Sequence, residues 1–374
     1  MSRITFIIPS LGFGGAQNML AKVLSRLAPE FVPEVISLSG QPQDAERLQY
    51  SGAPLRYLRM SRNLPDPRKL ITLANWIRSS KPDLVHTWMY HADLLGGLAA
   101  RFAGIPVLWN IRHGGPGPQD KRLTRWTIHL CAQLSRRVPR RIVCCAEAAM
   151  KSHVALGYDG SRMCVIPNGF EIERFRPDPN MRQQIRRELN IPDDVVVVGL
   201  VGRYHPIKDH ENFMQAAAML LRNGRKAVFL LAGEGVDRDN PIIVEQIAGM
   251  DHRSFFLLGR RDDIPRLTAA FDIAVSASRG EAFSNTIGEA MACAIPCTVT
   301  DVGDSAMVVG DTGRVVPPGE PAQLAAALEG LITLGPEGRK ALGLRARQRI
   351  IDNFTLEQVV SRYEQLYAHV LAQN

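Results

Sequence analysis

The chain has 374 residues, 45% of them apolar and 22% charged, with a net charge of +8. This is soluble-globular usage at a length suited to two domains; it excludes a largely disordered chain, and no apolar run approaches the roughly 20 residues that span a bilayer. The charge is uneven: residues 1–170 hold 22 Lys and Arg against 10 Asp and Glu, the remainder 23 against 27, so the first half should attract lipid headgroups, nucleic acid or phosphorylated substrates.

Strand-like and helix-like runs alternate, which predicts parallel sheets covered by helices. ITFIIP has too short an apolar core before Pro9 for a signal peptide and reads as a first strand. A Gly-rich turn and an amphipathic helix over Gln17–Leu27 follow. Then come PEVISL, DLVHTW, a small-residue helix over Ala92–Ala103, PVLWNIRH, a helix over Lys121–Ser135, RIVCCA and CVIPNG. Phe170–Asn180, proline-containing and charged, predicts a linker. The pattern restarts with DDVVVVGLVGR, a helix over Asp209–Arg222, AVFLLAGEG, a helix over Pro241–Met250, SFFLLG and a helix over Ile264–Ala270. DIAVSAS, a helix over Ser284–Ala294, PCTVT and RVVPPG complete it before the closing helices, the last over Leu356–Leu371 with Thr355 as N-cap. The expected fold is therefore α/β: two doubly wound domains, residues 1–170 and 171–354, facing across a cleft where ligands meet the carboxyl ends of the strands. Cys131, Cys144, Cys145, Cys164, Cys293 and Cys297 show no CxxC or metal spacing and read as buried, reduced thiols of a cytoplasmic protein.

The most informative stretch is Asp272–Glu320. A strand delivers the chain to the polar turn RGEAFSN, and a helix starts near Ser284. An open helix start offers N–H groups and partial positive charge to a phosphate. Glu281 on the turn and Glu289 inside the helix could accept hydrogen bonds from sugar and ribose hydroxyls. An ordinary helix with acidic residues near its start is the competing reading. Arg203 and Lys208, in LVGRYHPIKDH after another strand, could clamp a diphosphate, Arg bidentately and Lys as a point charge.

With these residues in view, the chain resembles the glycosyltransferases of family four, also called group 1, a large retaining family of GT-B fold. The resemblance rests on GFGGAQ (Gly12–Gln17), WNIRH, IPNGFEIERFRP, VGRYHPIK, LLAGEG, LLGRRDDI, EAFSNTIGEAMA with its paired glutamates, VVPPGE and the closing helix. It implies a Rossmann-like acceptor-binding domain over residues 1–170, with helix 355–374 packed back on it, and a Rossmann-like donor-binding domain over residues 171–354. It also implies that Arg203 and Lys208 bind the donor diphosphate, Glu281 the donor sugar and Glu289 the ribose. Backbone N–H groups of Phe283, Ser284 and Asn285 would meet the sugar and distal phosphate, and Gly14 and Gly15 would admit the donor from the other side. His113 would stand beside the donor sugar and acceptor, and Arg260 near the nucleotide base. The implied reaction is retaining, metal-independent hexosyl transfer from a nucleotide diphosphate sugar, a UDP-sugar above all, to a glycan or lipid-linked acceptor. It needs no cofactor and serves cell-surface polysaccharide or lipopolysaccharide assembly in the cytoplasm or at the inner face of the cytoplasmic membrane. The chain departs from the family pattern at EAFS (for EGFG), at Gln17 (for a carboxylate) and at DVGDSAM, which lacks a glutamate; the last two leave the donor sugar open.

Other features carry competing readings. Asp237–Arg238–Asp239 is formally a DxD metal signature, but nothing adjacent completes a site, and no metal is expected. His86 and His91 read as core or acceptor-facing, Trp88 and Trp109 as core or cleft-lining. Lys121–Arg141 carries seven cations and no acid; Leu123, Trp126, Leu130 and Leu134 share a helical face expected to pack on the N-terminal sheet. Its outward cations suit an anionic membrane surface. A GT-B sugar-nucleotide epimerase or hydrolase and a non-catalytic basic binding protein stand as alternatives, but no nucleic-acid motif is present, and nucleic acid is not an expected partner.

Overall fold

The computed structural model describes residues 1–12, 14–40, 52–61, 66–117 and 121–373; Phe13 of the predicted Gly-rich turn lies outside them. The chain folds as two compact units, Met1–Gly169 with Leu356–Asn374, and Phe170–Thr355.

In the first unit the elements run β1 (Ser2–Ile8), α1 (Gly15–Leu24), β2 (Phe31–Ser37), β3 (Leu55–Tyr57), α2 (Pro67–Ser80) and β4 (Leu84–Thr87). Then come α3 (Tyr90–Ala103), β5 (Val107–Ile111), α4 (Arg122–Leu134), β6 (Arg141–Cys144), α5 (Glu147–Ala155) and β7 (Met163–Val165). The seven strands are parallel in the order β3-β2-β1-β4-β5-β6-β7. β1 is apolar on both faces, with Ile4, Phe6, Ile7 and Ile8 fully buried, as a strand covered by helices on both sides must be. Small residues let α3 lie close on the sheet: a Cβ on Gly97 would stand 2.5 Å from the Trp109 indole nitrogen.

The second unit begins at Phe170, and the expected linker is part of its core. Phe170 is buried and stacks on Phe283 at 6.1 Å, while Arg347 donates to the carbonyls of Ile172 and Phe175. Prolines and charges marked an irregular path there; two buried aromatic rings hold it down. The elements continue as α6 (Pro179–Glu188), β8 (Val196–Val201), α7 (His210–Arg222), β9 (Ala227–Ala232), α8 (Pro241–Gln246), β10 (Phe255–Leu257) and α9 (Ile264–Ala269). They end with β11 (Ile273–Ser276), α10 (Asn285–Ala292), β12 (Cys297–Thr300), α11 (Ser305–Val309), β13 (Gly313–Val316), α12 (Pro321–Thr333) and α13 (Gly335–Asn353). Six parallel strands take the order β10-β9-β8-β11-β12-β13, around a core that includes Val198, Leu200, Phe213, Phe229, Leu231 and Phe255. Both sheets thus reverse strand order beside their first strand, the Rossmann-like arrangement. The last helix, α14 (Leu356–Leu371), belongs to the first unit, where Val359, Tyr363 and Tyr367 join the core of β1 and β4.

One expected face is wrong. α4 buries Thr127, Ile128, Cys131 and Ala132, whereas Leu123 is 38% and Trp126 60% exposed. The helix packs against α3, and Cys131 donates to the Tyr90 carbonyl at 3.7 Å. Small side chains at that seam let the two backbones approach; a Trp ring there would hold them apart. Leu123 and Trp126 are left outside, while Leu130 and Leu134 are partly buried.

Candidate functional site

In the second unit β8 and β11 are hydrogen-bonded neighbours at the point where strand order reverses, so the loops at their carboxyl ends emerge side by side. The loop after β8 starts at Gly202, whose N–H donates to the Ala232 carbonyl at 2.8 Å. A Cβ on Gly233 would overlap the Gly202 carbonyl, so only glycine lets these strand ends lie backbone to backbone. The chain then makes a single 3₁₀ turn over Pro206–Lys208, and the His205 ring accepts from the Ile207 N–H at 3.2 Å. The Lys208 stem lies over Gly202, in ordinary contact with where a Cβ would be.

The loop after β11 carries Ser278, Arg279, Gly280 and Glu281. The Arg279 N–H donates to the Ile207 carbonyl at 2.8 Å, and Lys208 Nζ donates to Glu281 Oε1 in an ion pair. The two side chains are 27% and 13% exposed. Glu281 Oε1 also accepts from the Ser278 hydroxyl at 2.9 Å. A third loop, after β12, closes against this turn: the Asp304 N–H donates to the Ala282 carbonyl at 3.0 Å. From there α10 begins. Ser284 is its N-cap, buried, and makes no side-chain capping bond.

The sequence candidates fall out unequally. Lys208 and Glu281 meet directly, one turn before a helix start uncapped by its serine. Glu289 lies farther along α10, partly buried, close enough to Cys293 to help burial raise that thiol to about 12. Phe283 is buried between Phe170 and Phe354, so only its backbone is free to meet a ligand, while Asn285 opens the helix. Arg203 is exposed and pairs with no carboxylate among the described residues. Arg260, on the loop after β10, is half-exposed with Asp262 3.7 Å away. Asp237 of the DxD accepts from the Asp239 N–H at 3.2 Å, turning its own loop. Local patterning singles out none of Ser278, Asp209, Arg279 and Gly303; a serine three residues before a glutamate, and a glycine between Val302 and Asp304, are common combinations that mark no site by themselves.

In the first unit Gly14 is the N-cap of α1, and a Cβ there would overlap the buried Gln17 amide; Gly15 is exposed. His113 is exposed and stacks on Tyr90 at 5.8 Å, and the Tyr90 hydroxyl is 2.7 Å from His153 Nε2. The Arg112 guanidinium lies 5.0 Å over the Trp88 ring and bonds to the Asn168 side chain. Trp88, Trp109 and His86 are fully buried; His86 Nδ1 is 2.9 Å from the Tyr367 hydroxyl, and burial, then Arg112, holds its pKa down to about 3. His91 is partly buried, and its pKa is lowered by burial. Burial pushes Asp93 up to about 8, against the Thr87 hydroxyl at 2.6 Å and the Asn110 N–H at 3.3 Å. Among the described residues all six cysteines are free, and no helix is long and apolar enough to cross a membrane.

Comparisons with known proteins bear on the family and the fold. Residues 195–333 match the family described as "Glycosyl transferases group 1", and residues 13–174 "Glycosyltransferase Family 4". The chain is 26% identical over 314 residues to the UDP-Gal:alpha-D-GlcNAc-diphosphoundecaprenol alpha-1,3-galactosyltransferase of Escherichia coli, covering 81% of this chain and 80% of that protein. It is 30% identical over 230 residues to the D-inositol 3-phosphate glycosyltransferase of Kineococcus radiotolerans, covering 56% and 52%. Anabaena HepE, solved in complex with UDP-glucose, is similar in structure, with a TM-score of 0.84 at 20% identity over 99% of this chain and 100% of that one. Its two Rossmann-like units are thus those of a GT-B enzyme, and the chain belongs to the group 1, family 4 glycosyltransferases.

Proposed function

We propose that this glycosyltransferase moves a sugar from a UDP-sugar to a glycan or lipid-linked acceptor, with retention at the anomeric carbon and without a metal ion or other cofactor, in cell-surface polysaccharide or lipopolysaccharide assembly. The observation that carries the donor assignment is the Lys208–Glu281 pair, set between the two loops at the strand-order reversal and directly before the start of α10. The relatives support it: Anabaena HepE was solved in complex with UDP-glucose, and the Escherichia coli enzyme is named for UDP-Gal and a diphosphoundecaprenol-linked sugar.

Breaking the anomeric bond leaves negative charge on the diphosphate and oxocarbenium character on the sugar. Lys208, Arg203 and the helix start, through the N–H groups of Phe283, Ser284 and Asn285, stabilise that charge more as it grows than before it forms, which lowers the barrier. Glu281 accepts from a donor-sugar hydroxyl, Glu289 from the ribose, and Arg260 contacts the base. The departing phosphate oxygen takes the proton of the acceptor hydroxyl on the face where the new C–O bond forms, so no side-chain nucleophile is required. In the first unit, Gly14 and Gly15 serve the donor, and His113 serves the transferred sugar and the acceptor. The basic helix α4, with Leu123 and Trp126 exposed beside Lys121, Arg122 and Arg125, suits peripheral contact with an anionic membrane at the cytoplasmic face.

A thermal-shift screen of nucleotide sugars in EDTA tests the donor, since a ligand at 100 times its Kd stabilises by about 2.7 kcal/mol. Transfer to an acceptor extract, with NMR of the new anomeric centre, tests retention. No response to any UDP-sugar, an inverted product, or a need for added Mg²⁺ would each remove the corresponding part of the proposal.

A further inference from the structure

Beside the Lys208–Glu281 pair stands a second ion pair between the same two loops, with its polarity reversed. Arg279 donates from Nε to Asp209 Oδ2 at 2.7 Å and from a terminal nitrogen to Oδ1 at 3.3 Å. The cation of one pair and the anion of the other are consecutive residues, Lys208 and Asp209; Arg279 and Glu281 flank Gly280. The Gly280 backbone lies against Ile207, whose Cδ1 would be 3.1 Å from a Cβ there. Asp209 is 4% and Arg279 62% exposed.

Asp209 is costly where it stands. Its φ is +50°, in the left-handed region, which disfavours most side chains and is best tolerated by Asn and Asp. It occupies the N-cap position of α7, where an aspartate ordinarily accepts from the helix N–H groups, yet it makes no side-chain capping bond there. Its carboxylate faces the Arg279 guanidinium instead, a two-point contact that sets orientation as well as distance.

We propose that Arg279 and Asp209 are a positioning pair: they hold the two loops in register so that Lys208 meets the diphosphate of the donor. This rests on the donor reading given above. Neither residue needs to touch the nucleotide; their effect runs through Lys208.

The probe is UDP, titrated calorimetrically into the full chain. Arg279→Gln and Asp209→Asn, the second keeping shape and tolerance of positive φ, should each raise the UDP Kd by on the order of tenfold, and Arg279→Lys should recover part of the loss. In a Lys208→Ala background neither should add a further loss. Wild-type Kd in both charge-removing variants overturns the proposal; so does a loss that persists in full without Lys208, which would mean direct contact or general distortion. A wild-type chain that does not bind UDP, or binds it equally well with Lys208→Ala, instead overturns the donor reading itself.

Discussion

The backbone of Gly303 lies directly against the carbonyl group of Glu281. A Cβ at Gly303 would overlap that oxygen and stand 2.6 Å from the Ala282 carbonyl, and the glycine has φ +58°. The loop after β12 therefore buttresses the turn that carries Glu281. Gly303→Val should cost about 2–4 kcal/mol, combining overpacking with left-handed strain, and should lower kcat/KM through displacement of Glu281. Denaturant unfolding and steady-state kinetics on the purified variant check this; wild-type values for both would show that the turn stands without its buttress.

Lys208→Ala and Glu281→Gln should each lower kcat/KM for sugar transfer by about a hundredfold or more, the size expected when one preorganised charge at a reacting centre is removed. Because the two groups are paired, the double variant should lose less than the two single losses combined. Transfer assays on the three variants decide it, and near-wild-type turnover in either single variant refutes the site.

Asp93 supplies a pH signature. Its folded pKa is raised to about 8 from an ordinary 3.8, so between those values the folded chain holds a proton that the unfolded chain has released. Stability from this group is present at low pH and lost as pH rises through the window, by at most about 1.4 kcal/mol per pH unit. His86, lowered to about 3, acts oppositely below its ordinary value of 6.5, weakening the fold as pH falls. Asp93→Asn keeps an acceptor for Thr87 and Asn110 without the titration. Its stability relative to wild type should therefore improve from pH 6 to pH 8 when both are unfolded in urea across that range; a constant difference would contradict the shifted carboxyl.

Trp126 and Leu123 should matter to membrane contact and not to folding. At low salt the wild-type chain should sediment with phosphatidylglycerol vesicles, and Leu123→Ser with Trp126→Ser should weaken that binding by about tenfold. Neither substitution should shift the melting temperature appreciably, as both side chains are exposed. A wild-type chain left in the supernatant would end the membrane proposal.

Much of this architecture could be read locally. The alternation of strands and helices, the small residues of α3, the helix starting by Ser284 and the cations after β8 are patterns of neighbouring residues, and they appear with their ends moved by a few positions. α10, for instance, runs over Asn285–Ala292 and not Ser284–Ala294. α2 escaped, although Asp66 caps it by accepting from the Arg68 N–H at 2.9 Å, because its apolar spacing is diluted by polar residues.

What the amino-acid order determined by itself was the alternation of strands and helices that makes the fold α/β, the uneven charge, and the glycosyltransferase motifs; short or polar helices such as α2, α5 and α6 were not legible in it. Two things waited for the tertiary structure. One was which stripe of α4 is buried: periodicity shows that a helix has an apolar side, but the size of the side chains on its neighbour decides which side fits. The other was pairing across the site. Lys208 and Glu281 are 73 positions apart, Asp209 and Arg279 70; no local pattern links them, and they meet because the sheet sets β8 beside β11.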